Sequence, residues 1–128
     1  MAENIVIKKE IRILGIDDAP FDKKKDKEVI VIGTVFRGGT WMDGLISTHI
    51  TVDGDDATDK IAAIINKTKH KDQIKVVLLD GIAFGGFNVV DIRTLNRKTK
   101  LPIVTVMRTY PDFKKIEKAL KNVSNYEY

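Results

Sequence analysis

Residues 74–80 read Ile-Lys-Val-Val-Leu-Leu-Asp, an almost unbroken apolar run that stops on a carboxylate. Such a run has little polar surface to offer water, so it predicts a buried strand of the parallel kind. A second run, "VIVIGTVF" at 29–36, is rich in β-branched residues and predicts another buried strand. The glycines of "RGGT" (37–40) supply a turn into "WMDGLISTHITV" (41–52), so 29–52 reads as a hairpin. A shorter apolar run, "IRILGID" (11–17), also ends in acid.

Beyond residue 52 the hydrophobic period changes. "DATDKIAAIINKTKH" (56–70) carries Ile61, Ile64 and Ile65 at helical spacing. Asp56 is a candidate N-cap there, and Asp59 suits the positive end of the helix dipole. "NVVDIRTLNRKT" (88–99) predicts a helix capped by Asn88, and "LPIVTVM" (101–107) a further strand. "YPDFKKIEKALKNV" (110–123) predicts a last helix, with Pro111 near its first position and Asp112 in its first turn.

The order is β-β-β-α-β-α-β-α. It predicts an α/β fold with a mixed sheet of five strands flanked by helices. A three-strand antiparallel meander leads into parallel β-α units with right-handed crossovers. In such sheets, sites form outside the carboxyl ends of the parallel strands. Asp17 and Asp80 each end a strand, and parallel neighbours would bring both carboxylates to one end of the sheet.

A chain of 128 residues supports one domain, 1–128, with a real core. No stretch is apolar for long enough to span a membrane, and the charged start "MAENIVIKKE" does not read as a signal peptide. The absence of cysteine excludes disulfides, thiolate zinc sites and thiol catalysis, and is compatible with the cytoplasm. A net charge of +4 favours polyanionic partners.

Two carboxylates at adjacent strand ends repel unless a cation lies between them, and magnesium is the usual hard cation for oxygen ligands. "VDGDDATD" offers a third carboxylate, with Asp56 ahead of Asp55 and Asp53. Arg108, just past the last strand, would place positive charge near a phosphate. Each has a plainer role open to it: Asp17, Asp18 and Asp80 as turn residues, Asp56 as a cap, Arg108 as a surface ion-pair partner. The loop "GIAFGGFN" has the same duality. Gly81, Gly85 and Gly86 would let backbone approach a substrate, and Phe84 or Phe87 would stack on a base. Alternatively, both rings pack beneath the next helix and the glycines make the corner. His49 and His70 lack a second histidine at ligand spacing, and Ser47 and Ser124 lack a triad around them. No G-x-x-x-x-G-K-[ST] phosphate loop is present.

Together, "RILGIDDAPF", "VDGDDAT", "LLDGIAFGGFNVVDI", "LPIVTVMR" and "PDFKKIEKAL" resemble the archaeal endonuclease dU family. The likeness runs from Arg12 to Leu120, and "LDGIAFGGFN" is its most specific part. That family is similar to endonuclease V and has the ribonuclease-H-like fold. The resemblance implies a magnesium-dependent endonuclease, with manganese as a substitute, cleaving DNA near deoxyuridine or deoxyinosine. It implies Asp17, Asp56 and Asp80 as metal ligands and Arg108 as the basic residue after strand five. DNA is the implied partner; RNA and a homodimer are left open. The sequence departs from the pattern in three ways. The middle acid of endonuclease V is a glutamate, Lys100 stands where the family tends to have glycine, and members are expected to continue beyond the third helix. The alternative is a catalytically inactive module that keeps the fold and binds nucleic acid or protein.

Overall fold

The computed structural model describes residues 8–107 and 112–121. Strands β1 (Arg12–Asp18), β2 (Glu28–Arg37) and β3 (Trp41–Thr51) precede helix α1 (Ala57–Lys67) and strand β4 (Ile74–Asp80). A miniature hairpin follows, β5 (Ala83–Phe84) and β6 (Asn88–Val89), then helix α2 (Ile92–Thr99), strand β7 (Ile103–Val106) and helix α3 (Phe113–Leu120). The main sheet has five strands in the order β3-β2-β1-β4-β7. β1 and β2 are antiparallel, as are β2 and β3, whereas β1–β4 and β4–β7 are parallel. The expected hairpin therefore lies on one edge, and the two acid-ended strands are parallel neighbours.

Side-chain alternation sorts the sheet into two faces. Leu14 and Ile16 of β1, Val31 and Val35 of β2, and Val77 and Leu79 of β4 point one way and are buried. Ile61 and Ile65 of α1 and Leu95 of α2 close over them, with Ile50 and Phe84, into one core. No described helix is long and apolar enough to cross a membrane.

Three local expectations change. The helix expected over 88–99 begins only at Ile92, because Asp91, not Asn88, is its cap: the Asp91 carboxylate accepts from the backbone N–H groups of Arg93 and Thr94. Asp and Asn cap about equally well, so the choice is tertiary. Asn88 is fully buried in β6, and its Oδ1 accepts from the Ala57 N–H, 3.0 Å away, at the start of α1. Asp56 precedes α1 but makes no side-chain bond to that helix's N–H groups, so the capping role expected of its side chain falls to Asn88. Asp112 does cap α3, accepting from the Lys115 N–H, while the call for Pro111 near the first helical position falls outside the described residues.

Candidate active site

β1 and β4 run in the same direction and in step, Gly15 beside Leu78 and Ile16 beside Leu79. One residue further along lie Asp17 and Asp80. Each is two residues beyond Gly15 and Leu78, so both carboxylates project from the face opposite α1 and α2. They line an open cleft of about 560 Å³, walled also by Ile32, Thr34, Leu78 and Val106. Strand ends are a rigid mount, since neighbouring strands hydrogen-bond both sides of the backbone.

The pair is electrostatically crowded. Burial pushes the Asp17 carboxyl above its ordinary value, and the carboxylates of Asp18 and Asp80 push it further. The Asp18 N–H opposes this, donating to Asp17 Oδ1 at 2.8 Å. Two acids that repel are poised to gain from a cation between them.

Asp18 was given only a turn role by its sequence, and it does more. Adjacent strand residues face opposite sides, so Asp18 points to the core face, where its Oδ2 accepts from the Gly85 N–H at 2.8 Å. Asp53 makes the matching contact from the other side, its Oδ1 accepting from the Phe87 N–H at 2.8 Å. These two carboxylates pin the tip of the β5–β6 hairpin. Gly85 and Gly86 turn there at φ of +54° and +85°, the left-handed region where L side chains are strained. A Cβ on Gly86 would also collide with Asp53 Oδ1, so the glycines serve the corner.

The phenylalanines separate. Phe84 has no exposed surface and packs in the core. This corrects the expectation that its ring meets a base, because no face remains for one. Phe87 is half-buried, with Lys23 Nζ 5.2 Å from its ring centroid. Gly81, at φ +75°, has open space around its Cα.

Asp56 does not join Asp17 and Asp80 in a cluster. Its carboxylate accepts from the Thr51 N–H at 3.0 Å, the Thr51 hydroxyl at 2.9 Å and Asn88 Nδ2 at 2.6 Å. Burial alone would raise its acidity constant, but these bonds outweigh burial and hold the group below its ordinary value. Asp53 is engaged by Phe87 and Lys23, and Asp55 is exposed. Among the described residues no three His, Asp or Glu side chains form a metal-binding group. The expected trio is thus a pair, because the third carboxylate is committed to the β3–α1 junction. Arg108 lies outside the described residues. On α2, Arg93 and Arg97 are exposed and Lys98 pairs with Asp59.

A family model described as endonuclease dU matches residues 9–128. The chain belongs to the endonuclease dU family. The UPF0215 protein of Methanothermobacter thermautotrophicus is 53% identical over 116 residues, which cover 91% of this chain and 57% of that relative. The Methanosarcina barkeri relative is 57% identical, covering 90% of this chain and 58% of its own length. A crystal structure of a protein of unknown function from Archaeoglobus fulgidus matches at a TM-score of 0.83 and 46% identity, over 91% of this chain and 64% of that one. This endonuclease dU chain therefore spans less than two thirds of these relatives. Its fold is also that of endonuclease V. The Ciona intestinalis enzyme, solved with a 24mer DNA containing an inosine followed by a ribo-adenosine, matches at a TM-score of 0.55 and 14% identity, covering 86% of this chain and 56% of that one. The Bacillus subtilis endonuclease V matches at 0.56 and 14%, over 80% and 46%.

Proposed function

We propose that this protein is a divalent-metal-dependent endonuclease that cleaves DNA near deaminated bases, deoxyuridine or deoxyinosine. The observation that carries the reading is the acid pair: Asp17 and Asp80 share one cleft at the carboxyl ends of neighbouring parallel strands. Membership of the endonuclease dU family and the fold shared with endonuclease V support the reaction class.

The donor set fits magnesium, with manganese as a substitute. Both ligands are hard oxygens, the crowding of Asp17 by Asp80 favours a cation, and magnesium commonly takes one or two carboxylates and keeps several waters. A bound divalent ion there would activate water and stabilise the leaving oxygen of the phosphodiester. Asp17 and Asp80 would hold it. Asp56, proposed as a third ligand from its motif, would have to leave Thr51 and Asn88, so a supporting structural role fits it better. Gly81 leaves room for backbone to approach a substrate, and Phe87 is the ring with surface left to meet a base. Arg108, following β7 in sequence, would face the scissile phosphate. The pairing of only two carboxylates among the described residues favours one second reading, a binding module without catalysis.

The test is a nicking assay on single- and double-stranded DNA and RNA carrying uracil or hypoxanthine, in magnesium and in manganese. Lesion-dependent nicking that Asp80→Asn abolishes, with an unchanged melting temperature, is the expected result. Full activity in the variant would overturn the ligand role. Binding without nicking by the wild-type chain would favour the binding module.

A further inference from the structure

The strands of the main sheet are apolar on both sides, and helices cover only one. Opposite the α1 and α2 face, alternation places Ile30 and Ile32 on β2, Leu45 on β3, Leu78 on β4, and Val104 and Val106 on β7. Leu45 is 63% exposed, Val106 47%, Val104 42% and Ile30 41%. α3 makes no extensive contact with any strand or helix. A contiguous apolar face across five strands is unusual on a lone domain, and parallel strands of this composition are ordinarily covered on both sides.

We infer that this face is a self-association surface, on which two copies pack sheet against sheet about a twofold axis lying across the strands. The area is sufficient. Five strands at spacings of about 4.8 Å, over roughly seven residues of about 3.3 Å each, give a footprint of roughly 500 Å² per copy. Two copies bury about 1,000 Å², where specific interfaces begin. The charge distribution selects a like partner and fixes its direction. Acidic charge on this face is confined to Asp17 and Asp80 at one end, while the centre carries apolar side chains with Thr34 and Ser47. A face without charge at its centre offers nothing for a polyanion or an acidic peptide to recognise, but it complements itself. With the axis across the strands, the partner's strands run antiparallel, and the two acid pairs fall at opposite rims instead of repelling face to face. Each cleft then borders the interface and stays open at its outer end.

This inference rests on the apolar face alone, independent of the nuclease reading, and its test needs no DNA or metal. Sedimentation equilibrium of the full chain, from micromolar to hundreds of micromolar, should give twice the chain mass at the upper end. Leu45→Lys and Val104→Lys should each raise the dimer dissociation constant at least tenfold, whereas Ile116→Lys on α3 should leave it unchanged. The milder Leu45→Gln and Val104→Thr should weaken dimers in the same direction, which keeps the test decisive should a lysine variant fail to fold. A monomer at every concentration, the result if another polypeptide segment covers the face, overturns the inference. So does a dimer indifferent to all four face substitutions.

Discussion

Replacing Asn88 by alanine should destabilise the protein by about 3 kcal/mol, although the residue belongs to no helix. Its amide joins three elements: Oδ1 accepts from the Ala57 N–H at 3.0 Å, and Nδ2 donates to the Thr51 carbonyl at 2.8 Å and to Asp56 Oδ1 at 2.6 Å. Ala57 is fully buried, so its N–H would be left without a partner, at about 1–3 kcal/mol. The Thr51 carbonyl and the Asp56 carboxylate each lose a donor that water can partly replace, adding about 0.5 kcal/mol apiece. In a chain of this length 3 kcal/mol corresponds to a fall of about 10 °C in melting temperature. Asn88→Asp separates the contributions. It keeps an acceptor for Ala57 but sets a second carboxylate against Asp56, so it should be at least as destabilising at neutral pH and recover on acidification. The wild-type sign is opposite. Asp56 sits below its ordinary value of 3.8, so its stabilising contribution is present above that value and fades as pH falls through the folded one. Asn88→Ala removes one of the bonds that lower Asp56, so loss of stability in acid should begin at a higher pH. Thermal melts of the three proteins between pH 3 and 8 test this. A shift below about 3 °C for Asn88→Ala at neutral pH would refute the view that this amide caps α1.

Three further outcomes are expected. Asp17, whose folded value is raised, contributes stability below its ordinary value of 3.8 that is lost as pH rises through the folded value, so Asp17→Asn should flatten this part of the metal-free pH–stability curve; an unchanged curve would show that Asp17 is not crowded. Lys100 ends α2 in the left-handed conformation at φ +64°, so Lys100→Gly should stabilise by about 0.5–1 kcal/mol in urea titration, and a destabilised variant would mean that its side chain matters more than its backbone. Phe84→Ala should cost about 3–5 kcal/mol by the same titration, and a cost near zero would contradict its place in the core.

The strand order, the edge hairpin and the parallel pairing of the acid-ended strands were legible because hydrophobic period and run length are local properties, and crossover rules leave few ways to assemble them. Asp17 and Asp80 were legible as a pair for the same reason: each closes an apolar run, and parallel neighbours bring like ends together. Lys100, where the family tends to have glycine, falls at the one position of α2's end that takes a positive φ. Other assignments needed the third dimension. "NVVD" holds two good caps three residues apart, and burial chose between them: Asn88 is enclosed and Asp91 is exposed. The sequence by itself determined which segments become strands and helices and which ends carry acid. The tertiary structure alone decided what each acid does. Asp17 and Asp18 are adjacent and alike, yet the two-residue period of a strand sends one into the cleft and the other to Gly85. Asp56 is committed by an amide 32 residues away, a partner that only the packing of β6 against α1 could bring within 2.6 Å.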